Sequence, residues 1–165
     1  MIEIASDSVD ETRSIASAVA SVTRPGDLIV LAGDLGAGKT AFVQGFGAAV
    51  GVADRITSPT FTLVHEYRGE TLDVHHLDVY RLDGPGEVLD LALPELLDDD
   101  CVTIIEWGDL VASELPRSYL VVRIHMGDPI SPDDRVLRFE SVGEVWSDRL
   151  EQIKDLSSAA AVRSC

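Results

Sequence analysis

Lysine and asparagine are what this acidic chain lacks most: Lys39 and Lys154 are the only lysines in its 165 residues, and asparagine is absent altogether. Thirteen basic residues face 29 acidic ones, a formal net charge of −16. A protein that grips duplex DNA or tRNA by itself needs lysine and arginine to displace counterions from phosphates. No basic block occurs here, so strong direct nucleic-acid binding by the chain alone is not expected, and the acidic surplus reads as a solvated surface. Cysteine is scarce too. Cys101 and Cys165 give neither metal-ligand spacing nor a disulfide framework, and the ending VRSC does not fit a prenylation box. No apolar run is long enough for a transmembrane helix. The acidic start MIEIASDSVDE lacks the layout of a secretory signal, so a cytoplasmic location is expected.

What is present reads as one α/β unit. The apolar share of 45% is enough to bury a core, and with no repeat or linker visible a single domain over 1–165 is expected. MIEIA is a short strand, and residues 9–23 carry Ile15, Ala18, Val19 and Val22 at helical spacing. RPGD (24–27) is a turn. LIVLA (28–32) is apolar throughout, as a buried parallel strand requires. A glycine-rich loop from Gly33 to Gly38 leads into a helix over 39–50, weakened by its glycines. Residues 60–67 and 71–80 are β-rich and separated by RGE, a hairpin that would add antiparallel strands to the sheet. GPGE (84–87) breaks the chain, and 87–97 is expected to be helical up to Pro94 and again beyond it. CVTIIEW (101–107) is a second buried strand. SYLVVRIHM and RVLRFE form a later pair. A helix is expected over 143–160, with a small-residue tail from about 157 to 165 read as disordered.

Gly33, Gly38, Lys39 and Thr40 satisfy G-x-x-x-x-G-K-[ST] between an apolar strand and a helix. Each residue type has its reason. Glycines let backbone N–H groups turn inward on phosphate oxygens, and the helix that follows offers its N-terminal donors and positive dipole end. Lys39 would bring a point charge to the β- and γ-phosphates, and Thr40 a hydroxyl to Mg²⁺. A Ras-type GTPase reads guanine with an N-K-x-D box, which a chain without asparagine cannot contain. Asp83-Gly84-Pro85-Gly86 matches D-x-x-G in form but reads as a turn, and adenine is the better base. A small-molecule kinase would share the cradle. Its arginine-rich lid has no counterpart in 83–100, which contains no arginine.

A P-loop ATPase also needs a carboxylate at the end of a neighbouring buried strand, to hold Mg²⁺ or orient the attacking water. Glu106 ends VTIIE, and Asp78 follows HHL; either is also readable as an ordinary strand carboxylate. Trp107 reads as packing or as a stacking wall. His75 and His76 point to opposite faces of a strand and cannot chelate one ion together. His76 and Asp78 share a face, but two ligands are too few for a transition metal. TSPTF (57–61) offers a threonine of the kind that senses a γ-phosphate in GTPase-like switches, but on spacing alone Ser58-Pro59 reads as an ordinary turn.

GDLGAGKT, SPTFTLVHEY, HLDVYRL and IIEW, in that order and spacing, closely resemble the TsaE (YjeE) family from about Ser6 to Phe139. These are bacterial ATPases of tRNA threonylcarbamoyladenosine synthesis. The resemblance implies a P-loop NTPase fold: a central, mostly parallel sheet flanked by helices and extended by antiparallel strands. It implies binding of ATP and Mg²⁺, slow hydrolysis, and action with the partners TsaD and TsaB, which would handle the tRNA. It also implies roles: Gly36, Ala37, Gly38, Lys39, Thr40 and Ala41 around the phosphates, with Thr40 and Glu106 at the metal. Trp107 would be the companion of Glu106, Thr60 the switch threonine facing the γ-phosphate, and Asp78 the helper of metal or water, with Tyr80 and Arg81 shaping its wall. Two segments depart from the family pattern, Gly108-Asp109 in place of Pro-Glu and LALPELL after the YRL motif, in a region where partners could dock.

Overall fold

The structure is a computed structural model and describes residues 1–59, 62–80, 97, 100–127 and 131–163. The turn expected at 84–87, the arginine-free stretch read as lacking a lid and, apart from Leu97, the helix expected over 87–97 lie outside the described residues. In chain order the elements are β1 (Ile2–Ser6), α1 (Val9–Val22), β2 (Leu28–Ala32), α2 (Lys39–Ala49), β3 (Val64–Tyr67), β4 (Val74–Asp78), β5 (Val102–Glu106), a 3₁₀ segment (Gly108–Glu114), β6 (Tyr119–Met126), β7 (Arg135–Val142) and α3 (Ser147–Arg163).

The strands form one sheet in the order β1-β7-β6-β2-β5-β4-β3. β6, β2, β5 and β4 are mutually parallel, while β7 and β3 pair antiparallel at the two flanks. LIVLA, VHHLD and VTIIE are buried at every position, as strands covered on both faces must be. One face packs under the helices, with Ile15, Val19, Phe42, Phe46 and Trp146 against Ile29, Leu31, Ile104 and Phe139. The other face packs Leu28, Val30, Leu77 and Ile105 against Val111 of the 3₁₀ segment.

The hairpin differs from the sequence expectation in two ways. Its first strand starts at Val64 rather than at residue 60, because Leu63 stands at a φ of 65° and the N–H groups of Thr62 and Leu63 close a turn on the Pro59 carbonyl. Its second strand lies parallel to β5, so on this side only β3 is antiparallel. A long connection separates β4 from β5, which is what a parallel pair requires. At the other end, α3 continues to Arg163 where a disordered tail was expected. Alanine, the strongest helix former, dominates that stretch, and the buried Ser157 hydroxyl donates back to the Ile153 carbonyl at 2.8 Å.

The glycines of α2 also have a packing reason. A Cβ on Gly45 would come within 2.4 Å of the Arg13 carbonyl oxygen, so its absence lets α1 and α2 meet backbone to backbone. A buried ion pair ties α3 to the turn before β2. Arg149 donates Nη1 to Asp27 Oδ2 at 2.5 Å and Nη2 to Oδ1 at 3.0 Å, and its guanidinium lies 4.1 Å from the Trp146 ring. No helix among the described residues is long and apolar enough to cross a membrane.

Removing one partner of such a pair strands a buried charge. Asp27→Ala should lower the unfolding free energy by about 3–5 kcal/mol, measurable by urea denaturation. Replacing both Asp27 and Arg149 with apolar residues of similar volume should cost less than either single change.

Candidate functional site

β2, β5 and β4 run parallel and in register, which places Leu31 beside Glu106 and Glu106 beside Asp78. The carboxyl ends of the three strands therefore stop along one line, the edge where open α/β sheets bind ligands. The loop from Gly33 to Gly38 leaves β2 at that edge, with positive φ at Gly33, Gly36 and Gly38 (139°, 81° and 110°). At Gly33 a Cβ would fall 2.4 Å from the Ile124 carbonyl oxygen, so the loop can leave the sheet this closely only as glycine.

α2 starts at Lys39 with no side-chain cap and no acidic residue in its first turn. The first N–H groups of a helix have no intrahelical acceptor, and together with the dipole they make a ready anion site. Arg135 supports the loop from β7 by donating Nε to the Ala37 carbonyl at 2.9 Å. The Ala37–Gly38 peptide is planar and trans, so fixing its carbonyl turns the Gly38 N–H to the opposite side.

Lys39 is buried and donates Nζ to the carbonyls of Gly33 at 2.7 Å and Asp34 at 2.9 Å. Its ammonium sits 3.6 Å from the centre of the Trp107 ring. Desolvation by burial holds its pKa below the ordinary value of 10.5, against the pull of Glu106, Asp78, Asp109 and Asp34. Trp107 reaches over the lysine from a left-handed backbone conformation, with a φ of 61°. Such a conformation costs on the order of 1–3 kcal/mol for a bulky side chain, and its ring also meets Tyr80 at 4.7 Å between centroids.

Two buried carboxylates face this lysine. Glu106 Oε1 accepts from the Thr40 hydroxyl and from His76 Nε2, each at 2.9 Å. Asp78 accepts from the Ser58 hydroxyl on Oδ2 at 2.9 Å and from the Tyr80 N–H on Oδ1 at 3.0 Å.

Lys39, Thr40, Asp78, Glu106 and Trp107 thus meet around one cleft of about 480 Å³, with Gly36, Gly38 and Ala41 in its wall. Gly33 stands behind it against β6. The Ala37 side chain turns into the core, so that residue can offer the cleft only its backbone. Thr60 and Arg81 lie outside the described residues. Among the described residues no group of three or more His, Cys, Asp and Glu side chains is placed to hold a metal ion. His75 faces away from the cleft and meets Cys101 Sγ through Nδ1 at 3.2 Å.

The family model for TsaE, the threonylcarbamoyl adenosine biosynthesis protein, matches residues 6–133. The chain belongs to the TsaE family. A tRNA threonylcarbamoyladenosine biosynthesis protein TsaE of Bacillus subtilis is 38% identical over 145 residues, covering 87% of this chain and 88% of the relative. That of Treponema pallidum is 39% identical, covering 73% of this chain and 89% of the relative. The crystal structure of YdiB from Bacillus subtilis superposes with a TM-score of 0.74 at 33% identity, over 96% of this chain and 94% of that one. The fold is that of a P-loop NTPase, as the sequence implied.

Gly108, where the TsaE pattern commonly has proline, lies tight against the sheet: a Cβ there would come within 3.0 Å of Val30 Cγ1. Asp109 pairs with Arg123 at 3.5 Å. Sequence reasoning missed three contributors. His76 was set aside for having too few ligands on its own strand. Two-residue periodicity combined with parallel pairing to VTIIE puts it on the face of Glu106, which would have found it. Ser58 read as a turn residue, yet its hydroxyl binds Asp78. Arg135 sits 98 positions from Ala37, and no local pattern points to that contact.

The Lys39 charge is desolvated by folding, so its pKa is lower in the folded chain than in the unfolded one. Below the lowered value the residue is charged in both states and the folded chain is destabilised. As pH rises from there towards 10.5, the folded chain releases its proton first and the penalty fades. The melting-temperature margin between Lys39→Met and the parent should therefore move in the parent's favour as pH rises across that alkaline window. Parallel thermal denaturation of both chains gives the margin, and one that stays constant with pH would contradict the assignment.

Proposed function

We propose that this TsaE-family chain binds ATP with Mg²⁺ in the cleft and hydrolyses it to ADP and phosphate. The reaction would serve formation of N6-threonylcarbamoyladenosine beside the anticodon of tRNAs reading ANN codons. The observation that carries this reading is the meeting of Thr40 Oγ1 and Glu106 Oε1 at 2.9 Å beside Lys39, at the uncapped start of α2.

The donor chemistry fits magnesium. Thr40 offers a hydroxyl and Glu106 a carboxylate, both hard oxygens, and Mg²⁺ takes one or two protein oxygens with water and substrate phosphate rather than a full protein cage. When bound, the ion would neutralise charge on the phosphates. The chain's own groups would do the rest. N–H groups of the Gly36–Ala41 stretch would bind phosphate oxygens, and Lys39 would exchange the Gly33 and Asp34 carbonyls for the β- and γ-oxygens. Asp78, held on both oxygens, and Glu106 would orient a water against the γ-phosphorus. The new P–O bond forms as the bond to the β–γ bridging oxygen breaks and the attacking water gives up a proton to phosphate or solvent, leaving ADP and inorganic phosphate. Thr60, from SPTF, would sense the γ-phosphate.

The family resemblance supports action with TsaD and TsaB in the cytoplasm, and the net charge of −16 fits a subunit that leaves the tRNA to those partners. A small-molecule kinase would use the same cradle, and the product separates the two: free phosphate or a phosphorylated acceptor.

Glu106→Gln should slow phosphate release by about 10²–10³-fold while changing ATP affinity only several-fold. Lys39→Ala should remove most of the affinity. Isothermal titration with ATP and a phosphate-release assay read the two effects separately. A chain that binds no ATP, or a Glu106→Gln variant with unchanged turnover and Asp78→Asn inactive, would overturn the assignment of roles. A pull-down under ATP, ADP and no nucleotide tests the partners, and equal recovery in all three would remove any nucleotide control.

A further inference from the structure

Buried deepest of the polar groups at the site is His76, at 0% exposure. β4 and β5 pair with Asp78 beside Glu106 and His76 beside Ile104, so His76 and Glu106 share one face of the sheet, diagonally across the two strands. His76 Nε2 meets Glu106 Oε1 at 2.9 Å, the oxygen that also accepts from Thr40. A carboxylate accepts, so the imidazole donates through Nε2–H. Its other nitrogen, Nδ1, is buried and has no hydrogen-bond partner among the described residues.

That orphan nitrogen is the informative part. Desolvating a polar atom without a partner is unfavourable, and an apolar side chain of similar size would avoid it. Ring packing does not require an imidazole, since the Tyr67 ring lies at 6.4 Å between centroids and tilted. What the imidazole supplies that an apolar group could not is one directed donor to Glu106. A carboxylate free to rotate about its last bond presents either oxygen to the cleft. With Oε1 fixed from below by His76, that freedom is removed and Oε2 is left available.

We infer that His76 is a positioning residue: through Nε2–H it fixes the rotation of the Glu106 carboxylate so that one set oxygen serves the cleft. The inference rests on the nucleotide-binding reading above and deepens it. His76 touches neither phosphate nor metal in this scheme. It belongs to the outer shell of hydrogen-bond partners whose loss typically costs metal sites about 10–100-fold.

The chemistry of the side chain gives a test that a merely structural role would fail. A glutamine amide nitrogen reaches about as far as His Nε2, whereas an asparagine amide reaches only about as far as Nδ1. His76→Gln should therefore keep the donor to Glu106, and His76→Asn and His76→Leu should lose it. The readouts are ATP affinity without Mg²⁺, the Mg²⁺ concentration at half-maximal enhancement of that affinity, and the rate of phosphate release.

Affinity without Mg²⁺ should stay within about two-fold in all three variants, showing an intact cradle. The Mg²⁺ midpoint should rise about 10-fold or more in His76→Leu and His76→Asn and return towards the parent value in His76→Gln. In a Glu106→Gln background, His76→Leu should have no further effect, because the two residues act as one unit. Equal midpoints in the parent chain and His76→Leu, no difference between Gln and Asn, or additive losses with Glu106→Gln would each overturn the inference. Absence of ATP binding by the parent chain would instead overturn the reading on which it rests.

Discussion

The register of three parallel strands is the constraint from which the site follows. LIVLA lies between VTIIE and YLVVRIHM, and VTIIE lies between LIVLA and VHHLD. Every side chain of LIVLA, VTIIE and VHHLD is buried, so a slip of one residue would exchange the two faces of a sheet packed on both sides. That strict pairing fixes which residues reach the edge together. The glycine loop, Glu106 and Asp78 meet there because the strands carrying them end together, with no contact between distant loops needed to gather them.

At that edge the chain holds a cation and two carboxylates out of water. Lys39 satisfies its ammonium on two carbonyls and a tryptophan ring. The carboxylates are held by Thr40, His76, Ser58 and the Tyr80 N–H. Burial still disfavours the lysine charge, and Trp107 keeps a strained backbone to cover it. An anionic ligand would relieve the first of these by giving the ammonium a charged partner. Local cost concentrated in a cleft whose walls are otherwise well packed is the physical mark of a binding site.

Much of this was legible in the sequence. The all-apolar LIVLA and VTIIE announced parallel strands because such strands are covered on both faces, and the spacing of Gly33, Gly38, Lys39 and Thr40 announced the cradle because phosphate binding demands those residue types. What stayed hidden is non-local. Leu63 could not be read as a strand breaker, since leucine does not favour a positive φ and only the turn closed on Pro59 holds it there. The parallel placement of β4 depends on the sheet order rather than on the hairpin signal. His76 became part of the site only through the neighbouring strand, and Arg135 only through a contact 98 positions along the chain.

The most direct measurement is a crystal structure of the chain with Mg²⁺ and a non-hydrolysable ATP analogue. The triphosphate should lie against the N–H groups of Gly36 to Ala41, with Lys39 Nζ moved from the Gly33 and Asp34 carbonyls onto phosphate oxygens. An analogue bound elsewhere, with Lys39 still on those carbonyls, would contradict the assignment of this cleft.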